Sequence, residues 1–516
     1  MNAVQFRFHG GVRVTRNKER LQGTGSRAIA LPPRLAYPLQ SHIGTPARPV
    51  VSIGQGVCRG EVLAVPTSYV SQTIHAGTSG IIAEIGERAV IHPGGLADTC
   101  IVLQADGEDR RLEPWPALDL GRTTSTALLA RILDAGIIGM GGAGFPSHVK
   151  LREGLTNAVH MLIVNGVECE PYIGCDDCVI RERADDVILG ARILMQVLGA
   201  SRCLVAVEDD MEQAWAALSS RADGVVELVR VPAVYPAGGE KQLIKMITGA
   251  EVPTHGLPID AGVVMHNAAT AVAVTDAVLR GSPLTERVIT VAGAVRTPAN
   301  LRVRIGTPIG HLIDACGRAP GDARSIVGGP MMGTQVVDGS VPVVKTTNCV
   351  LQLPMAAGDE TVMPCIRCGD CVEVCPAQLQ PQALYEFARA SDWDNARDFH
   401  LFDCIECGAC AYVCPSRLPL VHYYRYAKSE VEALELAQQR AAALKTRYEA
   451  RRLRLAEAGG ETDVDEQADL DSRESPVAPP DRAAMQAEIA AAVARAKARR
   501  QGRAADAIDK DKNGAP

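Results

Sequence analysis

The sequence of 516 residues is poor in aromatic side chains, which make up only 4% of it. It therefore has few of the stacking platforms that proteins use to bind single-stranded nucleic acid. Positive charge is not in excess either, because the formal net charge is -7 at pH 7, and this argues against a general nucleic-acid binder. We expect no nucleic-acid partner.

Long apolar runs are missing as well. No uninterrupted run reaches the roughly 18 residues that a membrane-spanning helix needs, and the best candidate, residues 261–279, contains His266, Asn267 and Asp276. The first residues, MNAVQFRFHGG, lack the apolar core of a signal peptide. We expect neither a leader nor a direct membrane span, so a membrane role would come through partners.

Cysteine, in contrast, is abundant, and eight of the 16 cysteines form two runs of the same spacing. Cys365–Pro376 and Cys404–Pro415 both read C-x2-C-x2-C-x3-C-P, the bacterial pattern for [4Fe–4S] clusters, in which the fourth cysteine ligates the other cluster. The first cluster is thus assigned Cys365, Cys368, Cys371 and Cys414, and the second Cys404, Cys407, Cys410 and Cys375. Zinc held by paired CxxC motifs is the alternative, while disulfides suit such close cysteines less well. The number of thiols points to a reducing compartment.

Along the chain, the pattern of apolar and turn-forming residues changes several times. Residues 30–109 contain short apolar runs separated by Gly and Pro, which predicts β-structure. From Thr123 strands alternate with amphipathic helices, which predicts a largely parallel sheet. From Glu286 strands and turns return, and the cysteine runs follow as an internal repeat. Residues 459–480 are acidic and nearly free of apolar side chains, which is typical of a disordered linker.

A glycine-rich loop, GMGGAGFPSHVK, occupies residues 139–150. It matches neither the dinucleotide fingerprint GxGxxG nor the Walker A motif. Its glycines still allow backbone N–H groups to approach a phosphate, and Lys150 can add a positive charge. From these residues alone, nucleotide binding and a structural turn remain alternatives.

The neighbouring motifs favour nucleotide binding through a resemblance. The loop is followed by LIVNGVECEP (162–171), YPAGGEKQL (235–243) and MHNAATAVAV (265–274). In this order they resemble the NADH- and FMN-binding subunit of respiratory complex I and, more closely, the C-subunit family of the Rnf electron-transport complexes. The second resemblance extends over roughly residues 6–428 and includes FHGGV near the N-terminus and LPLVHYYRYAK after the cysteine runs.

The resemblance implies a set of site residues. Residues that contact FMN or NADH are expected at Gly139, Gly141, Gly142, Phe145, Lys150, Asn165, Tyr235, Gly238, Glu240 and Asn267. Glu168 and Glu170 are expected to be catalytic, beside the flavin ring and the nicotinamide. The chain departs from complex I at Val167, Gly239 and His266, which affects the expected NADH contacts more than the flavin contacts. Cys169, Cys175 and Cys178 are interpreted as buried thiols, with a further metal site as the alternative.

The predicted fold class is a multidomain α/β protein. The expected parts are an N-terminal segment (1–29), a barrel-sandwich hybrid without a lipoyl lysine (30–115), a complex-I-like FMN/NADH domain (120–283), an SLBB-like module (284–350), a two-cluster ferredoxin-like domain (355–425), a helix (428–458), a disordered acidic linker (459–480), and a helix with a tail (481–516).

The resemblance also implies a function. Two [4Fe–4S] clusters and FMN are the expected cofactors, with NADH as substrate. The expected protein is a peripheral subunit on the cytoplasmic face of the bacterial inner membrane, which passes electrons between NADH and ferredoxin while the complex moves ions. The expected partners are the Rnf subunits A, B, D, E and G. A soluble cobalamin reductase of a microcompartment and a non-catalytic electron-wire subunit are the alternatives.

Overall fold

The computed structural model of the protein describes residues 6–92, 94–222, 224–355 and 361–457. The chain divides into two compact units, residues 1–431 and 432–516. The acidic linker expected at 459–480 and the helix and tail expected at 481–516 lie outside the described residues.

Short strands near the N-terminus form two small antiparallel sheets. These strands are β2 (Arg34–Pro38), β3 (Arg48–Pro49), β4 (Gly56–Val57), β5 (Val62–Val65), β6 (Ile74–His75), β7 (Gly80–Ala89) and β8 (Ala97–Ala105). One sheet has the order β2-β8-β7-β4 and the other β3-β5-β6. Leu35, Leu63, Ile82 and Leu103 are fully buried in the shared core, because side chains that alternate along a strand can all point to one face.

A four-stranded parallel sheet forms the next domain, with the order β11-β10-β9-β12. Its elements are α1 (Ser125–Asp134), α2 (Ser147–Thr156), β9 (Met161–Gly166), α3 (Cys175–Glu182), α4 (Ala184–Leu198), β10 (Arg202–Glu208), α5 (Glu212–Ser219), β11 (Val226–Val231), α6 (Glu240–Thr248), β12 (Val263–Asn267) and α7 (Ala268–Leu279), with a 3-10 turn at Pro258–Ala261. Along β9, Leu162 and Val164 enter one core while Met161 and Ile163 enter another. The sheet is therefore covered on both faces, as the continuous apolar strand predicts.

A six-stranded sheet follows and includes β1 (Ser26–Ala28) from the N-terminal segment. Its other elements are β13 (Glu286–Gly293), β14 (Ala299–Arg304), α8 (Ile309–Cys316), β15 (Ala323–Val327), β16 (Thr334–Val336) and β17 (Cys349–Pro354). The strand order is β1-β14-β13-β17-β15-β16. Ile309, Leu312 and Ile313 of α8 pack on this sheet in a core of their own, so this module folds around a separate apolar centre.

The cysteine runs form a small helical module with an internal repeat. Its elements are α9 (Asp370–Glu373), α10 (Pro381–Ala390), α11 (Trp393–Asp398), α12 (Ala409–Tyr412) and the start of α13 (Leu420–Glu457), with a 3-10 turn at Leu401–Asp403. Positive φ angles recur at equivalent positions of the two runs, at Arg367 and Glu406 and again at Gly369 and Gly408. The duplicated unit seen in the sequence is thus also duplicated in the backbone.

The last described helix differs from its expected bounds. The sequence predicts a helix over 428–458, whereas α13 runs from Leu420 to Glu457. It begins earlier because Leu420, Tyr424 and Ala427 are buried in the core of the cysteine module, so the part of LPLVHYYRYAK from Leu420 onwards is already helical. From residue 432 to 455 the side chains are exposed.

Candidate functional site

The candidate site lies where the parallel strands of the central sheet end. Asn165 on β9 and Asn267 on β12 are direct register partners at these carboxyl ends, the usual position of ligands in open α/β sheets. Asn165 Nδ2 donates to the Gly238 carbonyl at 2.9 Å. The Asn267 side chain caps α7 by accepting from Ala269 N–H at 2.9 Å. Three of the predicted segments therefore meet at one edge of the sheet.

The glycine loop is adjacent to this edge. Its ends are closed by a hydrogen bond from Gly139 N–H to the Phe145 carbonyl at 2.8 Å, and Phe145 itself is half-buried. A Cβ at Gly141 would lie 3.0 Å from Asn267 Cβ, so the loop packs tightly against the start of α7. A Cβ at Gly142 would meet no described atom within 4 Å. The loop is thus closed on the protein side and open at Gly142.

Lys150 and Glu240, both expected to contact cofactor, contact each other. Lys150 Nζ donates to Glu240 Oε1 at 2.6 Å and to the Met265 carbonyl at 3.3 Å. Glu240 is the first residue of α6, after Gly239, and a carboxylate is favourable at a helix N-terminus. The lysine charge is therefore already matched by a carboxylate at the rim of the site.

Glu168 is buried, and a cation from the N-terminal segment lies beside it. Lys18 Nζ donates to the Glu168 carbonyl at 2.6 Å and lies 3.8 Å from its Oε2. Glu168 Oε1 accepts from Asp176 N–H at 2.8 Å, whereas Oε2 has no hydrogen-bond partner within the described chain. Burial, opposed by Lys18, raises the pKa of Glu168 to about 7. This side chain can therefore hold or release a proton near neutral pH.

Glu170 points towards the six-stranded module. Its carboxylate accepts from Met331 N–H at 3.3 Å and from Met332 N–H at 3.0 Å. Burial raises the pKa of Glu170 to about 7, although these two N–H groups act in the opposite direction. A Cβ at Gly329 would overlap Glu170 Oε2, so this turn closes over the carboxylate. The two predicted catalytic carboxylates thus have different surroundings.

Tyr235 connects the site to the cysteine module. The residue is 2% exposed, and its hydroxyl donates to the Cys407 carbonyl at 2.5 Å. The Tyr235 backbone pairs with Val12 in both directions, at 2.8 and 3.1 Å. The resemblance implies that Tyr235 faces the flavin, but its side chain reaches the second cysteine run.

The eight cysteines of the two runs separate into two groups of four. Cys375, Cys404, Cys407 and Cys410 line one cavity, and Cys365, Cys368, Cys371 and Cys414 line another. In the first group Cys375, Cys407 and Cys410 are only 7–8% exposed, whereas Cys368 in the second is exposed. The grouping follows the crossed assignment made from the spacing, with the fourth cysteine of each run lining the other run's cavity.

Four regions match known domain families. Residues 6–108 match the RnfC barrel sandwich hybrid domain, 132–276 the Nuo51 FMN-binding domain, 288–335 the SLBB domain and 364–418 the 4Fe-4S dicluster domain. Over 458 residues the chain is 44% identical to the C-subunit of the ion-translocating oxidoreductase complex of Pseudomonas aeruginosa, covering 87% of this chain and 58% of the relative. The corresponding C-subunit of Yersinia pestis is 43% identical over 456 residues, covering 87% of this chain and 73% of the relative.

The chain belongs to the C-subunit family of ion-translocating oxidoreductase complexes. This confirms the predicted family, and the four domain matches confirm the predicted fold class. The chain spans 58% of the length of the Pseudomonas relative. A solved NAD+-reducing [NiFe]-hydrogenase aligns with 62% of this chain and 66% of its own, with 18% identity and a TM-score of 0.44. Among the described residues no helix has both the length and the apolar character of a membrane span.

The residues of this family member fit the cofactors that its domain matches imply. The loop is open at Gly142, where a phosphate needs backbone N–H groups without a side chain in the way. The buried Glu168 Oε2, without a hydrogen-bond partner in the described chain, is able to accept from a bound molecule. Each cysteine cavity presents the four thiols that a [4Fe–4S] cluster requires.

Two residues of the candidate site were not predicted from the sequence. Arg16 donates to Glu208 Oε2 at 2.7 Å and to the Glu168 carbonyl at 3.3 Å, and Lys18 holds Glu168 as described above. Both lie about 150 residues before Glu168, where no periodicity or local motif signals a contact. The one available signal is their position just after the FHGGV segment that the resemblance includes.

The three thiols of the acidic loop (residues 168–178) are interpreted from the sequence as buried thiols. Cys175 and Cys178 are buried, and Cys169 is half-buried. Cys175 Sγ lies within 4.8 Å of ligand oxygens of Glu168 and Asp176. Burial and the neighbouring carboxylates raise the pKa of Cys175 well above its ordinary value, so it remains a protonated thiol in the structure as it stands.

Proposed function

We propose that this protein takes electrons from NADH at an FMN held by the central domain and passes them through two [4Fe–4S] clusters. The observation that carries this proposal is the hydrogen bond from Tyr235 to Cys407, because it brings the loop of residues 235–240, here called the flavin-side loop, into direct contact with one cysteine group. Bound FMN would supply the conversion between two-electron and one-electron transfer.

The central domain would position the flavin through its backbone. The N–H groups of Gly141 and Gly142 would approach the phosphate, whereas the N–H group of Gly139, also expected to contact FMN, already donates to the Phe145 carbonyl. Lys150, held by Glu240, places an ammonium N–H donor at the same edge. Gly238 must remain without a side chain, since a Cβ there would lie 2.7 Å from the Val167 carbonyl. These residues would hold and orient the cofactor.

The buried carboxylates would manage protons and exclude water. Glu168, with a pKa of about 7, can accept or release a proton beside the flavin, and Lys18 stabilises its ionised form. Glu170 is closed off by the turn at Gly329–Met332, which keeps this flank of the site dry. Proton transfer by a positioned group with a pKa near the working pH is efficient.

The burial of the two cysteine groups supports an order of electron transfer. The group containing Cys407 is buried and touches the flavin-side loop, so it would receive electrons first. The group containing the exposed Cys368 would deliver them at the surface. In this arrangement water has little access to the first cluster, and burial is one of the factors that set a cluster's potential.

The proposed partners follow from the family. The relatives are named as subunits of an ion-translocating oxidoreductase complex, and we propose Rnf subunits A, B, D, E and G as partners. Ferredoxin would be reached through the complex, and the chain would lie at the cytoplasmic face of the inner membrane. Co-purification with membrane subunits would support this proposal over a soluble cobalamin reductase.

Anaerobic purification and reconstitution with iron, sulfide and FMN tests the proposal. Addition of NADH should bleach the flavin absorbance, and an EPR signal of reduced clusters should follow. Full iron loading without flavin uptake and without a response to NADH would leave only an electron wire. A Gly142→Ala variant should bind FMN more weakly while the melting temperature of the apoprotein is unchanged, because its Cβ meets no described atom within 4 Å.

A further inference from the structure

The side chain of Tyr235 belongs to the cysteine module more than to the flavin site. Its hydroxyl donates to the Cys407 carbonyl at 2.5 Å, and the residue packs in a cluster with Val12, Cys407 and Ala409. A buried phenol next to a cavity lined by four thiols requires a partner for its O–H. Here that partner is the peptide group of a predicted cluster ligand.

The backbone of Tyr235 is fixed from the other side. Val12 pairs with it through two hydrogen bonds, and three residues further on the Gly238 carbonyl accepts from Asn165 Nδ2. The flavin-side loop is thereby anchored to the end of β9. Its tyrosine hydroxyl is consequently held at a defined distance from Cys407, and does not depend on an exposed, mobile side chain.

A donor at the Cys407 carbonyl changes the electrostatics of the adjacent ligand. The hydroxyl places the positive end of its dipole against the negative end of the peptide carbonyl, and this offsets negative charge beside the thiolates. Hydrogen bonds around the ligands and burial are the protein's main means of adjusting the potential of an iron–sulfur cluster. The effect is enhanced where the surroundings exclude water.

We infer that Tyr235 is a positioning residue that raises the reduction potential of the cluster held by Cys375, Cys404, Cys407 and Cys410. The inference rests on the proposed function only for the presence of that cluster. It does not require that FMN or NADH bind. Tyr235 thereby makes the buried cluster easier to reduce.

A second buried tyrosine provides a matched control. Tyr424 lines the same cavity, is 1% exposed, and donates its hydroxyl to the Pro381 carbonyl at 2.7 Å. Pro381 is not one of the residues expected to ligate the cluster. A Tyr424→Phe change thus removes a buried hydroxyl from the lining of the cysteine cavity without removing a hydrogen bond to the peptide of a cluster ligand.

The test is an EPR-monitored redox titration of the full chain, reconstituted with iron and sulfide, with dithionite as reductant. Tyr235→Phe should make the potential of one cluster more negative by about 59 mV, equal to a tenfold change in its one-electron equilibrium. The other cluster should keep its potential, and Tyr424→Phe should shift the buried cluster by much less. Equal shifts in the two variants, or none in Tyr235→Phe, would overturn the inference.

A second variant tests the inference in case Tyr235→Phe assembles its clusters poorly. Fluorotyrosine incorporated at position 235 keeps the ring and gives a stronger O–H donor, so the potential should move in the positive direction. If wild-type protein holds no cluster at the four cysteines, the inference is wrong. If the potentials shift as expected but NADH reduces nothing, the inference stands and the proposed NADH activity fails.

Discussion

Removal of Lys18 should raise the pKa of Glu168 further. The Lys18 ammonium lies 3.8 Å from Glu168 Oε2, and at an effective dielectric constant of about 20 Coulomb's law gives about 4 kcal/mol for such a pair. This equals about three pKa units at about 1.4 kcal/mol each. Because Lys18 is partly exposed and water can enter the space it leaves, we expect Lys18→Met to raise the pKa of Glu168 by about one to two units.

The rate of flavin reduction by NADH, measured by stopped flow across the pH range, reports this change. In wild-type protein a transition should occur near pH 7, where Glu168 titrates. Because the pKa of Glu170 is raised to about 7 as well, the comparison is made in a Glu170→Gln background, in which Glu168→Gln should abolish the transition. Lys18→Met should move the transition to higher pH, while Lys18→Arg, which keeps the charge, should leave it almost unchanged. A transition that survives Glu168→Gln, or one that Lys18→Met moves to lower pH, would refute the reasoning.

Three further predictions concern the carboxylates, the clusters and stability. Burial raises the pKa of Glu170 from 4.5 to about 7, so between these pH values the folded state keeps a proton that the unfolded state has lost. The free energy of unfolding should therefore fall by about 3 kcal/mol as the pH rises from 4.5 to 7. Glu170→Gln should remove this slope in urea unfolding of the apoprotein. Cys375→Ala should abolish the EPR signal of the buried cluster and Cys414→Ala that of the exposed one; the reverse result would contradict the crossed assignment. Lys345 is 3% exposed and donates to three buried neutral oxygens, so Lys345→Met, which leaves these oxygens without a donor, should lower the unfolding free energy by about 1–3 kcal/mol; an unchanged or higher unfolding free energy would count against this role.

Much of the fold could be predicted because its signals are local. Alternating strands and helices from Thr123 predict a parallel sheet, and β9, the helices α3 and α4, and β10 follow one another in that alternation. The cysteine groups could be predicted for the same reason, since the spacing within each run sets which thiols share a loop. Arg367 and Glu406, at equivalent positions of the two runs, even adopt the same φ angle of 56°.

Other features depend on contacts between distant residues and have no local signal. The helix α13 begins at Leu420 rather than 428 because its first turns are buried in the cysteine module, a tertiary effect that helix propensity does not contain. The side chain of Tyr235 is expected at the flavin, but its hydroxyl bonds a residue 172 positions away. Sequence motifs single out the segment, while only the packed structure shows which way its side chain points.

The N-terminal segment links the parts of the candidate site. Gly10 lies against Cys375, since a Cβ there would come within 2.9 Å of its backbone, and Gly11 N–H donates to the Val374 carbonyl. Val12 pairs with Tyr235, and Lys18 then reaches Glu168. One short continuous stretch therefore contacts the buried cysteine group, the flavin-side loop and the acidic loop in turn. Electron transfer requires fixed distances between redox groups, and proton transfer requires a fixed arrangement of charges around the carboxylate. By contacting all three parts, this one segment can fix both the distances and the charges.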